Sequence, residues 1–349
     1  MPRQVRIEFS GALYHVMARG DRQEVIVKDE EDRRTFVRTL GEAAERAGFR
    51  VHAWVLMSNH YHLLLETPEP NLSQGMGWLQ NAYTRRINTR HGLWGHVFGG
   101  RYKAILVEPG NCFWALLDYI HLNPVRAGLV KREEGLESCR WSSLPGYLRE
   151  PGKRSEWLET GMGLAVTGCR DTASGRRKFL EILNERVDWS APGKAGREYS
   201  SGGGERKLAV HSSLKRGWFF GSQAFKERLM GMMEERLAGR VKWSGIQSAA
   251  AKDHGEWQAR RIVNAGLLVF GASSAELKNT AKSDWRKGLL AEMIQRRTTM
   301  KLAWISEKLR MGDPSSCCRV IQQVRKKLPR QTVWRESQKK IEIISRNHA

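Results

Sequence analysis

The chain has little cysteine for its 349 residues, and none of it forms a zinc-binding motif. Its five cysteines contain no C-x-x-C pair, and an odd number without a regular framework indicates reduced thiols. No apolar run reaches the ~18 residues that a membrane-spanning helix needs. The first six residues, MPRQVR, lack the apolar core of a signal peptide. We therefore expect a cytoplasmic protein without a structural zinc site or a membrane partner.

Negative charge is also scarce. Lys and Arg number 59 against 37 Asp and Glu, which gives a formal net charge of +22. The excess runs along the whole chain and is not confined to one tail. Such a field attracts polyanions. Nucleic acid is the expected partner. An anionic membrane surface is the competing one, but the chain has no membrane-spanning run and no lipidation motif, so it is not expected.

The length favours two domains. Over residues 1–145 the pattern is strand, helix, two strands, helix, strand and helix, which predicts an α+β sandwich with a mainly antiparallel sheet. The remainder is assigned as a helical extension over 146–189, a Gly- and Ser-rich flexible linker over 190–206, a helical domain over 207–335 and a basic tail over 336–349.

Two histidines stand close together on a predicted strand. The apolar runs 51–57 and 60–66 are separated by a short polar break, which indicates adjacent strands. His60 and His62 then point to one face of the sheet, and Tyr61 points to the other. At about 7 Å along one strand face, two imidazoles can bind a single divalent ion. Ordinary core or surface histidines are the alternative interpretation.

A helix some sixty residues later carries a matching pair. Asn111 opens this helix and Pro124 is expected to end it. Tyr119 and Asn123 are four residues apart and so share one helix face. If that face covers the sheet beside the histidines, Asn123 supplies an oxygen ligand and Tyr119 presents its hydroxyl to whatever the metal holds. Taken alone, the pair is more typical of a buried tyrosine and an asparagine near a helix end than of a catalytic site.

This combination in a basic chain resembles the HUH single-strand nucleases, and more narrowly the REP-associated tyrosine transposases. Three blocks occur in the family's order. They are residues 56–68 (LMSNHYHLLLETP), 95–105 (GHVFGGRYKAI) and 119–130 (YIHLNPVRAGLV). The resemblance covers roughly residues 5–145. One position departs from it: residue 99 is often glutamine in the family and is glycine here. The departure bears on a DNA contact at this position and not on the catalysis.

The resemblance implies an antiparallel-sheet HUH nuclease with a ferredoxin- or RRM-like sandwich, from a bacterial cytoplasm and associated with the nucleoid. His60 and His62 would bind a divalent metal, Mg²⁺ or Mn²⁺, and Asn123 would complete the protein ligands. Tyr119 would attack a DNA phosphodiester and leave a 5′-phosphotyrosine and a free 3′-hydroxyl. The expected substrates are palindromic, REP-like hairpins in single-stranded DNA with their flanking DNA, bound by a monomer or homodimer.

The sequence offers rivals to Tyr119 as the nucleophile. Tyr102 lies among strand residues, where packing or stacking on a base is expected. Tyr83 is the serious rival, because it lies on an amphipathic helix beside arginines. It has no ligand-type residue four positions later, where Ile87 stands. His121 is two residues from Tyr119 and faces elsewhere on the helix, so it ranks low as a proton acceptor.

Basic side chains near these motifs are the expected phosphate contacts: Arg85, Arg86, Arg101, Lys103 and Arg126. Towards the C-terminus, residues 302–309 and 315–324 flank a turn with Gly312, which outlines a helix-turn-helix at about 301–326. This half of the chain is similar to the helix-turn-helix of replication initiators or the Trp repressor. The side chains suited there to phosphates and base edges are Arg319, Gln322, Gln323 and Arg325.

Two other functions remain open from the sequence. One is a non-catalytic, sequence-specific DNA-binding regulator derived from such a transposase, which would bind DNA without metal dependence or cleavage. The other is an RNA-binding or RNA-processing protein, which the charge alone also permits. The intact set of His60, His62, Tyr119 and Asn123 favours the enzyme.

Overall fold

The computed structural model describes residues 7–187, 217–237, 248–298 and 300–347. They belong to two compact units, the first ending at Phe225 and the second beginning at Lys226. The predicted linker over 190–206 lies outside the described residues. Within the described ranges, no helix is both long enough and apolar enough to cross a membrane.

The first unit is built on a five-stranded sheet in the order β2-β3-β1-β4-β5. Its strands are β1 Ala12–Arg19, β2 Arg50–Leu56, β3 His60–Thr67, β4 Lys103–Val107 and β5 Phe219–Phe220. The first four pair antiparallel, and β5 joins β4 in parallel. The predicted α+β class and mainly antiparallel sheet are confirmed. The fifth strand was missed and lies inside the predicted helical domain over 207–335, because two residues carry no readable periodicity.

Helices cover both faces of this sheet. They are α1 Glu30–Ala47, α2 Leu72–His91, α3 Asn111–His121, α4 Asn123–Arg126, α5 Leu144–Leu148, α6 Gly161–Val166 and α7 Ala173–Glu185. The expected stop at Pro124 is only partly right. The long helix α3 ends at His121, but Pro124 then lies in the first turn of the short helix α4, where its missing N–H removes no hydrogen bond.

The register of β1 and β3 decides which side chains share a face. Met17 pairs with His62 and Arg19 pairs with His60, and paired residues point to the same side of the sheet. Helix α3 covers this histidine face. The core beneath α3 contains Leu13, Ala53, Val55, Leu64 and Ile105 from the strands, and Phe113, Leu116, Leu117 and Ile120 from the helix.

The opposite face is covered by α1 and α2. The ring of Tyr61 lies 5.1 Å from that of Phe36 in α1, and Tyr83 of α2 lies 5.1 Å from the same ring. Tyr61 therefore points away from the histidines, as strand alternation predicts.

Polar contacts inside the core hold α3 in place. Nε2 of His121 lies 2.8 Å from Oγ of Ser143, and the backbone N–H of Ser143 donates to the carbonyl of Trp54 in β2 (2.8 Å). The buried carboxylate of Asp118 pairs with Arg186, just beyond α7, at 3.0 Å. The helix is thus tied to the edge of the sheet and to a neighbouring helix as well as to the apolar core.

Two loop segments pair with the outer edge of β2. The N–H of Leu56 donates to the carbonyl of Trp141 (2.9 Å), and the N–H of Val51 donates to that of Trp157 (3.3 Å). A bridge joins Val55 to Ser142. The segment at 141–143, which reads as a loop in the sequence, therefore covers a strand edge that would otherwise expose unpaired backbone groups.

The second unit is helical. Its helices are α8 Gln223–Leu237, which begins within the first unit, α9 Ser248–Phe270, α10 Ser274–Asn279, α11 Trp285–Arg297, α12 Leu302–Lys308, α13 Pro314–Lys327 and α14 Thr332–Asn347. Between α12 and α13 the chain turns at Arg310 and Gly312, both with positive φ (49° and 89°). Asp313 caps α13 by accepting the N–H of Ser316 (2.9 Å). The predicted outline of two short helices around a glycine turn is present.

Residues 336–347 form a helix and not the basic tail expected from their charge. They belong to α14, which packs against α9. Ile341 is fully buried in the core of the unit, and Trp334 and Ile344 pack against that core. The apolar side chains recur at helical spacing between the lysines, and this signal outweighs the charge.

One buried histidine makes the stability of this unit depend on pH. Burial, with a smaller contribution from Arg261, lowers the pKa of His254 to about 4. A histidine in an unfolded chain titrates near ~6.5, so the unfolded state takes up the proton first as the pH falls. From pH 7 to pH 5 this residue is expected to lower the free energy of unfolding by about 2 kcal/mol.

The measurement is hydrogen exchange of the α9 amides in the full-length protein, corrected for intrinsic rates. The variant His254→Leu should lose this part of the pH dependence. Equal pH dependence in the variant and the wild type would contradict the prediction.

Candidate active site

Three histidines and a tyrosine lie together on the sheet face covered by α3. The ring centroids of His60 and His62 are 5.1 Å apart with perpendicular planes (88°). The ring of Tyr119 lies against His62 at 5.6 Å and against His15 of β1 at 6.3 Å. The structure therefore brings Tyr119 next to the histidine pair, and it adds a third imidazole from the neighbouring strand.

The hydrogen bonds of Asn59 define which nitrogen of His60 carries the proton. The side-chain amide of Asn59 donates to the carbonyl oxygen of Gln23 (3.1 Å). A carbonyl can only accept, so Nδ2 lies on that side and Oδ1 faces Nδ1 of His60 at 2.7 Å. Nδ1 of His60 is then the donor. The lone pair of Nε2 is left for a metal ion.

The imidazoles of this cluster are neutral at physiological pH. Burial, with a smaller effect from Arg19, lowers the pKa of His60 to about 4. Burial, together with neighbouring His15, His60 and Arg19, lowers the pKa of His62 well below its ordinary value. Burial also lowers the pKa of His15 to about 3, with Lys103 acting in the same direction. A neutral imidazole is the form that binds a metal.

Tyr119 is surrounded by groups that act on its hydroxyl. Burial raises its pKa, while the charge of Arg126, a hydrogen bond with the side chain of Asn123 and the charge of Arg19 oppose that rise. The guanidinium of Arg126 lies over the Tyr119 ring, 5.1 Å from its centroid, and donates to the Tyr119 carbonyl (3.2 Å). Asn123, at the start of α4, is thus joined to the site through Tyr119.

Sequence reasoning missed His15 and Arg19. Both lie on β1, an even number of residues apart, so their side chains point to the histidine face. The pairing of β1 with β3 places Arg19 opposite His60. The signal available in the sequence was the spacing of four between them on the first strand. It could not be interpreted without the register, because β1 and β3 are more than forty residues apart.

The hydroxyls of the two rival tyrosines face backbone carbonyls away from the histidines. Tyr83 is fully buried on the opposite face of the sheet, and its hydroxyl donates to the carbonyl of Ile26 (2.6 Å). Tyr102 is buried and faces the carbonyl of Leu72 at 3.4 Å, so it packs in the unit and does not offer its ring to a base. His121 is buried against Ser143, and burial lowers its pKa to about 3, in keeping with its low rank as a base.

The basic residues predicted to contact DNA fall in different places. Lys103 pairs with Met17 and lies on the histidine face. Arg126 lies beside the same face, because its guanidinium is over the ring of Tyr119. Arg101 is exposed just before β4. Arg85 is exposed on α2, on the other side of the sheet. Its neighbour Arg86 is bound to Glu42 (2.8 Å) and Thr39 (2.7 Å) of α1.

In the second unit, the four predicted DNA-contacting side chains lie on the exposed side of α13. Arg319, Gln322 and Gln323 are exposed, while Cys317, Ile321 and Val324 face the core. Arg325 is exposed but is bound to α11, with its guanidinium donating to Gln295 (3.0 Å) and lying 3.4 Å from Glu292.

An acidic group elsewhere in the first unit does not behave as a metal site. In the described part of the chain, Asp29, Asp32 and His91 lie close enough together to share an ion. The guanidinium of Arg90 already binds both carboxylates, and the backbone N–H groups of Lys28 and Asp32 donate to Asp32 and Asp29 (2.8 and 2.9 Å). The cluster caps α1 and joins it to α2, and we assign no metal there.

Comparison with known proteins finds a family that is similar to part of the first unit. Residues 8–123 match the sequence model of the family described as "Transposase IS200 like". This part of the chain is similar to IS200-like transposases. The match includes His15, His60, His62 and Tyr119 and ends at Asn123. Arg126 and the helix-turn-helix lie outside it. The resemblance to single-strand transposases drawn from the three sequence blocks is thereby confirmed for this domain.

A solved structure of a REP-associated tyrosine transposase bound to a REP hairpin is similar to the chain at 16% sequence identity, with a TM-score of 0.35. The similarity covers 41% of this chain and 82% of that one. No curated protein matches the chain. The resemblance to transposases therefore rests on the sequence match over residues 8–123.

Arg101 is exposed, whereas Arg86 is hydrogen-bonded to Thr39 and Glu42 of α1. We therefore predict different effects on DNA binding when each is replaced. Arg101→Gln should reduce the slope of log K against log [salt] for single-stranded DNA by about 0.7, which corresponds to one phosphate contact. Arg86→Gln should leave the slope unchanged and lower the thermal midpoint, because Arg86 already bridges α2 and α1. Fluorescence anisotropy over a salt series measures the slope for each variant, and thermal unfolding measures the midpoint. A reduced slope in Arg86→Gln would contradict this assignment.

Proposed function

We propose that this protein is a metal-dependent single-strand DNA transposase that cleaves and rejoins DNA through a covalent 5′-phosphotyrosine on Tyr119. The observation that carries the proposal is the contact of Tyr119 with His62, 5.6 Å between ring centroids, beside a second imidazole that presents Nε2. The match of residues 8–123 to the sequence model of a transposase family supports it.

The donor set fits a divalent metal. Two neutral imidazoles and an amide oxygen suit Mn²⁺, and Mg²⁺ also fits when waters complete the coordination. His60 and His62 would hold the ion, with Asn123 as the third ligand. A metal bound there would withdraw charge from the scissile phosphate and fix its orientation.

The chain's own residues prepare the phenol for attack. A tyrosine hydroxyl is a weak nucleophile near neutral pH, since its ordinary pKa is about 10, and burial raises the pKa of Tyr119 further. Arg126 and Arg19 oppose this effect and favour negative charge on the oxygen. As the Tyr119 oxygen bonds to phosphorus, the bond to the 3′ oxygen breaks. The phenolic proton leaves and a proton reaches the 3′ oxygen, so the step consumes no net proton.

The substrate proposed is a palindromic, REP-like hairpin in single-stranded DNA with its flanking sequence. The similar solved structure is of a protein bound to a REP hairpin, and the charge of +22 suits a polyanion. We infer phosphate contacts for Lys103, Arg101 and Arg126 near the site. The exposed side of α13 is proposed as a second DNA-binding surface.

The decisive experiment uses a suicide oligonucleotide that carries a hairpin and traps the covalent adduct. The wild type with Mn²⁺ or Mg²⁺ should form a protein–DNA adduct that resists denaturation, and Tyr119→Phe should form none. His60→Ala should slow adduct formation at least about 100-fold, because a metal contributes several kcal/mol to stabilising phosphoryl charge.

Tyr83→Phe is the matched control. It removes the hydroxyl of another buried tyrosine, on the opposite face of the same sheet, and should leave adduct formation intact. An adduct that persists in Tyr119→Phe would refute the role of Tyr119. Metal-independent binding without any adduct would favour the non-catalytic regulator.

Tyr119 contacts His62 of its own chain, which predicts that the tyrosine and the histidines of one subunit act together, in cis. A mixture of the variants Tyr119→Phe and His60→Ala should form no more adduct than the two variants give separately, measured by gel with chains of different tagged length. If two subunits exchanged their catalytic helices, the His60→Ala chain would instead acquire the adduct in the mixture. That result would contradict the arrangement.

A further inference from the structure

His15 is a fully buried histidine on β1, between β3 and β4 at the centre of the sheet. A leucine or valine would be usual in such a position. A polar group away from water destabilises the fold unless a hydrogen bond compensates it. The position of this imidazole therefore points to a task other than packing.

The contact with His62 defines that task. Nε2 of His15 lies 2.9 Å from Nδ1 of His62, and the two rings are nearly parallel (15°). Nδ1 of His15 has no hydrogen-bond partner among the described residues, so His62 provides the hydrogen bond that holds this ring. Each neutral imidazole carries one N–H and one lone pair, and so one of the two rings donates and the other accepts.

We propose that His15 is a positioning residue for the metal: it accepts the Nδ1–H of His62 and leaves the Nε2 lone pair of His62 to the ion. The inference rests on the proposed function, since it takes His60 and His62 as the metal ligands. In the opposite arrangement His15 donates, the proton of His62 moves to Nε2, and that nitrogen is unable to bind a metal.

The two ligand histidines then have matching partners. Metal-binding histidines commonly donate their second ring N–H to an acceptor, which determines the tautomer and the ring orientation. Asn59 is the acceptor for His60 at the end of the strand. Deeper in the sheet, His15 is the acceptor for His62. A neutral imidazole accepts this hydrogen bond without placing a negative charge in the core.

The test is the affinity of the full-length protein for Mn²⁺ without DNA, measured from the electron paramagnetic resonance signal of the free ion. His15→Leu should weaken binding ~10–100-fold, as loss of a histidine's outer hydrogen-bond partner does at other metal sites. His15→Gln should recover most of the affinity, because its amide oxygen can accept the same N–H. Circular dichroism establishes that each variant is folded.

His52→Leu is the matched control, since His52 is also fully buried, and its ring faces Phe113 (5.2 Å) and Glu66. It should bind Mn²⁺ as the wild type does. Wild-type affinity in His15→Leu, or equal weakening in His15→Leu and His52→Leu, would overturn the inference and leave the proposed function standing. Undiminished binding in His60→Ala would overturn both.

Discussion

The antiparallel register between β1 and β3 is the constraint on which the site depends. It pairs Met17 with His62 and Arg19 with His60, so the side chains of two distant segments meet on one face. A slip of one residue would turn the histidines of β3 towards α1 and α2, because side chains alternate along a strand. The apolar residues of β3 oppose that slip, because Leu64 would leave the core under α3 and Tyr61 would lose its contact with Phe36 of α1.

The candidate site combines neutral imidazoles with a positively charged rim. Burial keeps the imidazoles unprotonated, so their lone pairs are available without competition from protons. Arg19 and Arg126 act on Tyr119, and Lys103 acts on His15. Their charges favour an anionic phosphate at the same place where they favour an ionised phenol. The burial that keeps the imidazoles neutral therefore disfavours an ionised Tyr119, and these cations offset that effect.

The parts of this arrangement that were predictable from sequence are those with local periodicity. The parity of His60 and His62 on a strand and the spacing of Tyr119 and Asn123 on a helix follow from neighbouring residues alone. The contact of His15 with His62 joins residues 47 apart, and the pairing of Arg86 with Glu42 joins two helices. Such contacts depend on register and packing. For the same reason the strand at Phe219–Phe220 was not foreseen.

The outer edge of β2 carries a consequence for assembly. Loops at 141–143 and 157–159 already satisfy its backbone groups, so a second copy is unable to continue the sheet from that side by strand addition. A continuous intermolecular sheet through this edge would first require both loops to detach. A dimer built by merging sheets along β2 would therefore lose these loop hydrogen bonds.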